Sequence, residues 1–248
     1  MQLTNKVAIV TGGAGGIGRG ITRVFIREGA RVLFVDSNAE NGAALEAELG
    51  RDRARFLRLD LSVPGAAETI RDAAVAAFGG LDILVNNANR STPAPLLLAD
   101  EDNLAQAFGS SFTPTLTLMQ ACHELLAQSS GSIINFASGA GLSGDPLQGS
   151  YAAAKEAVRG VSRVAANEWG VDGIRVNVVC PFALSEGVQW WSETYPELAA
   201  AALAKVPLGR IGDIESDIAP AVVFLASEAS CYITGQTLMV DGGGLMMR

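Results

Sequence analysis

Tyr151 and Lys155 stand four residues apart in Tyr-Ala-Ala-Ala-Lys, inside a stretch with helical spacing over residues 150–169. Four residues is about one helical turn, so the two side chains share a face. A phenol ionises at about 10 in water, and a neighbouring ammonium favours the phenolate. Such a pair is a general acid/base. Ser138 ends the preceding strand-like run, residues 132–138, and can hold a substrate oxygen beside the phenol. Tyr and Lys at this spacing are common on helices. The meaning of the pair depends on the elements that carry it.

Those elements begin with residues 6–18, KVAIVTGGAGGIG. Val7 to Val10 form an apolar run that reads as a strand buried on both faces. Thr11 ends it, and five glycines fall in the next seven residues. Glycine turns the chain sharply and leaves no Cβ to hold a ligand away. Helical spacing then resumes over residues 17–27, with Ile17, Ile21, Val24 and Phe25 on one side. Strand, glycine turn and helix make a phosphate site, with backbone N–H groups facing the anion. A second buried-strand run, residues 31–36, ends on Asp36, whose carboxylate can accept hydrogen bonds from the adenosine ribose and would repel a 2′-phosphate. Neither Ser37, Asn38 nor Gly15 supplies a positive charge, so the expected cofactor is NAD.

Composition narrows the class. Of 248 residues, 49% are hydrophobic and only 18% charged, which suits a large core and subunit contacts. A net charge of −8 disfavours a nucleic-acid footprint. Cys122, Cys180 and Cys231 lie far apart without metal spacing and suit a reducing compartment. The one histidine, His123, is expected on a solvated helix face. No apolar stretch is long enough for a membrane span, and the N-terminus does not read as a signal peptide. The expectation is a cytoplasmic protein acting on a small molecule, with no bound metal.

Further strands are expected at residues 55–60, 81–87, 132–138, 174–180 and 237–240, and helices at about 38–50, 64–78, 100–128 (interrupted by Pro114) and 150–169. This alternation, with no polar linker, predicts one doubly wound α/β domain over residues 1–248, a Rossmann-type fold with a seven-stranded, mostly parallel sheet flanked by helices. Ligands sit at the carboxyl ends of such strands, where Asn86, Asn87 and Ser138 fall.

Taken together, Thr11 to Gly18, Asp36, Asp60-Leu61, Asn86-Asn87-Ala88, Ser138, Tyr151 with Lys155, and Val240 to Gly244 resemble the short-chain dehydrogenase/reductase family over nearly the whole chain. The resemblance implies hydride transfer between a nicotinamide and a secondary alcohol or ketone. Tyr151 would pass the proton, Ser138 would bond the substrate oxygen, and Lys155 would bind the nicotinamide ribose and lower the phenol pKa. Gly12, Gly15, Gly16, Ile17 and Gly18 would hold the pyrophosphate, Asp36 the ribose, and Asp60 with Leu61 the adenine. Asn87, Ala88 and Pro181 would line the cofactor. The resemblance also implies a homo-oligomer, with a tetramer favoured, built through the two long helices flanking the fifth strand and the C-terminal strand.

Four positions depart from the family pattern: Asn89 replaces a glycine, Phe182 follows Pro181 in place of a glycine, Glu186 aligns with a threonine (Ser185 if the alignment slips by one), and Ser111 takes the place of the asparagine of the catalytic tetrad. A lid is expected at about 183–208, where Trp190, Trp191 and Tyr195 favour a bulky or cyclic substrate. Two other readings stand beside the main one. A reductase of a carrier-bound or polyketide-like ketone would need a basic mouth, with Arg90, Arg159, Arg163 and Arg210 as candidates. A chain altered in its redox step would bind NAD without turnover.

Overall fold

The protein is described by a computed structural model over residues 1–246. Strand β1 (Val7–Thr11) leads through the glycine turn into α1 (Gly16–Arg27) and on to β2 (Arg31–Asp36). Then follow α2 (Ala39–Leu49), β3 (Ala54–Arg58), α3 (Ala66–Phe78) and β4 (Ile83–Asn86). The middle of the chain holds α4 (Glu101–Ala107), α5 (Thr113–Ser129), β5 (Ser132–Phe136), α6 (Ala140–Ser143) and α7 (Gly149–Trp169). Last come β6 (Arg175–Pro181), α8 (Glu186–Thr194), α9 (Pro196–Leu203), α10 (Ala219–Ala226) and β7 (Thr237–Val240).

The sheet has the order β3-β2-β1-β4-β5-β6-β7, and every neighbouring pair is parallel. The expectation of a mostly parallel sheet therefore resolves to an all-parallel one. Period-two alternation splits β1 between two cores. Ala8 and Val10 pack with Phe25 of α1 and Val222 of α10, while Ile9 packs on the other face with Ile70 of α3 and Leu118 of α5. Both faces are covered, which is why these strands read as unbroken apolar runs. Strand order reverses between β1 and β4, and the crevice that this opens at their carboxyl ends is where ligands bind in such sheets.

Two expectations shift in detail. Strand β5 ends at Phe136, so Ser138 lies two residues beyond the strand rather than at its end. The long helix expected over residues 100–128 is α4 and α5 joined by a π turn, Phe108–Phe112. Pro114 falls in the first turn of α5, where its missing N–H and fixed φ are tolerated. His123 is half-covered rather than solvated: its ring meets Trp169 edge-on at 4.9 Å and Nε2 lies 3.1 Å from Asp172.

Candidate active site

A cleft of about 1100 Å³ opens over the carboxyl ends of β1, β4, β5 and β6. Its floor is the glycine turn. Gly12 and Gly16 hold φ of +62° and +46°, the left-handed region that glycine adopts without strain. A Cβ on Gly18 would collide with the Gly12 carbonyl oxygen, so glycine at that position lets α1 close against β1. The turn is tied to β4 by Thr11, whose Oγ accepts from the backbone N–H groups of Asn87 and Ala88 at 3.0 and 3.1 Å. The Asn87 side chain donates back to the Thr11 carbonyl at 2.9 Å.

Asp36 is fixed at one end of the cleft. Its two oxygens accept backbone N–H groups of Ala14 at 3.1 Å and Asn38 at 3.0 Å, which leaves further lone pairs facing the cavity. Asp60 and Leu61 form the next part of the wall. The backbone N–H of Ser62, and then its hydroxyl, hold the Asp60 carboxyl below its ordinary pKa. These oxygen acceptors and the Cβ-free turn fit an adenine dinucleotide.

At the other end, Ser138, Tyr151 and Lys155 line the same cleft. Tyr151 and Lys155 lie in the first two turns of α7, and Lys155 Nζ stands 5.9 Å from the centroid of the phenol ring. Lys155 is 3% exposed and donates to the Phe136 carbonyl at 2.9 Å. Burial lowers its pKa from 10.5 to about 8. Burial also raises the Tyr151 phenol above its ordinary value, while the Ser138 hydroxyl pulls it back. The lowering of the phenol expected from Lys155 is not what sets its pKa here: burial dominates, and the group that pulls the phenol down is the Ser138 hydroxyl.

Ala88, Gly15, Ile17 and Pro181 also line the cleft, as do Trp190 and Trp191. Gly18 packs behind the wall. Ser111 does not reach it: this residue is buried in the π turn, and its Oγ has no hydrogen-bond partner among the described residues. Asn86 is likewise turned inward, its amide donating to Asn135 Oδ1 at 2.8 Å. Of the four arginines considered for a basic mouth, only Arg90 lines the cleft; Arg210 is bound to Asp217 at 2.8 Å and Arg159 to Glu156 at 3.2 Å.

The segment after β6 is closed at its base by an isolated bridge between Ala183 and Gly212, outside the sheet. Between them α8 and α9 cover the cleft. Trp190 meets Tyr195 edge-on at 6.3 Å. The glycines after β7 serve this segment. A Cβ on Gly242 would press on Val206, one on Gly243 on Pro207, and the Gly242 carbonyl accepts from Leu208 N at 3.2 Å.

A family model described as Enoyl-(Acyl carrier protein) reductase matches residues 12–244. The chain belongs to the short-chain dehydrogenase/reductase family. Membership makes it an oxidoreductase of the CH–OH class. It is 41% identical to a 12alpha-hydroxysteroid dehydrogenase of a Clostridium species, over 96% of each chain. Identity is 39% to a D-threitol dehydrogenase of Mycolicibacterium smegmatis, covering 98% of this chain and 94% of that one. A 3-oxoacyl-[acyl-carrier-protein] reductase of Vibrio cholerae is 36% identical over the full length of both. A solved structure described as a short-chain alcohol dehydrogenase from Sinorhizobium meliloti superposes with a TM-score of 0.90 at 33% identity, covering 98% and 97% of the two chains.

For a short-chain dehydrogenase/reductase, several cleft residues were not visible in the sequence. Ser110 shapes the wall by accepting from Arg90 N at 2.9 Å and donating to Arg90 O at 2.7 Å. The two are twenty residues apart, and no local pattern joins them. Asp145 and Lys205 also reach the cleft, from the loop before α7 and the turn after α9. Among the described residues, no helix is long and apolar enough to cross a membrane, and no cluster of three His, Cys, Asp or Glu suits a metal.

Proposed function

We propose that this protein is an NAD-dependent dehydrogenase/reductase acting on a secondary alcohol or ketone of a bulky or cyclic small molecule. The observation that carries the reading is the placement of Ser138, Tyr151 and Lys155 on one cleft with Asp36 at its far end. The nicotinamide, when bound, supplies or accepts the hydride. Tyr151 Oη gives the proton to the substrate oxygen in reduction and takes it in oxidation. Ser138 Oγ holds that oxygen, and Lys155 Nζ binds the nicotinamide ribose. Ser111, in the π turn packed on α7, is the tetrad position whose short side chain requires a rearranged water. Gly12, Gly15, Gly16 and Ile17 cradle the pyrophosphate, with Gly18 behind them letting α1 close against β1, and Asn87, Ala88 and Pro181 flank the cofactor. The protein works as a cytoplasmic homo-oligomer, favoured as a tetramer; Val164 on α7 and Leu238 on β7 are exposed apolar residues on the faces expected to meet.

Asp36 carries the cofactor preference. A fixed carboxylate rejects a 2′-phosphate, and the cations on the cleft wall, Arg90, Lys155 and Lys205, belong to other segments. In a calorimetric titration, NADH is expected to bind at least tenfold more tightly than NADPH, about 1.4 kcal/mol. Asp36→Ser should narrow that gap. Equal affinities for the wild-type protein would remove this role of Asp36.

Trp190 and Trp191 carry the substrate class. Trp190 is 52% exposed, and both indoles face the cleft. Aromatic side chains placed this way offer broad apolar contact to a ring system. Replacing both by alanine is expected to raise KM for a cyclic ketone by about tenfold, with a smaller change in kcat. An unchanged KM in steady-state assays would reassign the indoles to lid packing.

A further inference from the structure

The lid touches the floor of the cleft through one carboxylate. Glu186 opens α8, next to its capping residue Ser185. Glu186 Oε1 lies 2.8 Å from Arg19 Nη2 on α1, 167 residues away in sequence. Its Oε2 lies 3.2 Å from the place a Cβ on Gly16 would take. The start of α1 has no side-chain cap and no acidic residue in its first turn. A helix start of this kind favours a negative group, and in this structure the negative group beside it comes from the lid.

We propose that Glu186 competes with the diphosphate of the dinucleotide for the start of α1, so that the Arg19–Glu186 pair holds the lid down until cofactor displaces it. The proposal rests on the dinucleotide reading of the cleft. Both partners are partly exposed, 38% for Arg19 and 62% for Glu186. An ion pair this exposed contributes little, so it yields to a diphosphate, which brings more charge and more acceptor oxygens to the same N–H groups. Displacement frees Arg19 to face the diphosphate. It also moves the first residue of α8, and Trp190 and Trp191 ride on that helix. Lid position is thereby linked to cofactor occupancy, and the pair lowers apparent cofactor affinity by the fraction of molecules that it holds closed.

The test uses wild-type protein and Glu186→Gln, titrated calorimetrically with NADH, ADP and adenosine. Gln keeps the size of the side chain and removes its charge. The variant is expected to bind NADH and ADP about fivefold more tightly, with adenosine, which lacks phosphate, unchanged. Amide hydrogen exchange of α8 should rise when ADP binds to the wild type and already be high in the ligand-free variant. Binding of NADH by the variant alone would support the proposal in its strongest form. Equal ADP affinity for both proteins, a gain shared by adenosine, or α8 exchange indifferent to ADP would overturn the latch and leave the dinucleotide site standing. Failure of both proteins to bind NADH would overturn the dinucleotide reading, and the latch with it.

Discussion

Tyr151→Phe is expected to bind NADH as the wild type does and to lose turnover by roughly a hundredfold to ten-thousandfold, the range for removing a positioned acid/base. Phenylalanine preserves the ring, so the first turn of α7 and the cleft wall keep their shape. Only the Oη that faces Ser138 is lost. Burial holds the phenol above its ordinary pKa, so at neutral pH it carries its proton and is ready to protonate a ketone oxygen. In the other direction it must first lose that proton. Wild-type alcohol oxidation should therefore accelerate as pH rises, whereas ketone reduction should not. Steady-state kinetics in both directions, with NADH affinity measured separately, checks both statements. A variant with undiminished turnover would take the proton transfer away from Tyr151.

What could be read from the sequence was local. The glycine turn is one unbroken stretch, so its strand, turn and helix follow from neighbouring residues, as does the shared face of Tyr151 and Lys155. Asp36 was legible because it ends an apolar run. Other features were set by residues distant in the chain. Asn86 and Asn87 are adjacent, but Asn86 is the last residue of β4 and Asn87 the first beyond it, and their side chains part. Asn87 meets the cleft, while Asn86 bonds Asn135, whose amide donates in turn to Ser162 Oγ at 2.8 Å. Ser111 occupies a π turn, where i→i+5 bonding shifts the facing of side chains in a way that helical spacing does not reveal. The glycines after β7 read as a family signature, and their physical cause, close approach of Val206 and Pro207, needed the folded segment after α9. Strand alternation predicted a parallel sheet, whereas its order came from packing on two faces.

Lys155→Met is expected to make the cofactor-free protein more stable at pH 7 while abolishing most of its turnover. The wild-type amine is buried, and its pKa falls from 10.5 to about 8, with burial as the main cause. Below pH 8 the folded chain carries an ammonium that is better solvated when the chain unfolds, and the full penalty applies. Between pH 8 and 10.5 the unfolded chain binds more protons than the folded one, so stability rises with pH. Above that window both states are neutral at this site and the penalty is gone. A shift of this size corresponds to about 3 kcal/mol, from which about 1 kcal/mol is subtracted for the Phe136 carbonyl that loses its donor. Methionine should therefore gain about 2 kcal/mol at pH 7, roughly 5 °C in Tm for a chain of this length. The gain should disappear by about pH 10. Thermal melts of both proteins at neutral and alkaline pH measure it. A variant less stable than wild type at pH 7 would make the bond from Lys155 to Phe136 a structural tie. A gain that vanishes with rising pH, together with lost turnover, would mean that the buried ammonium is held against its solvation preference at the point where the proposed reaction needs a positive charge beside the phenol and the ribose.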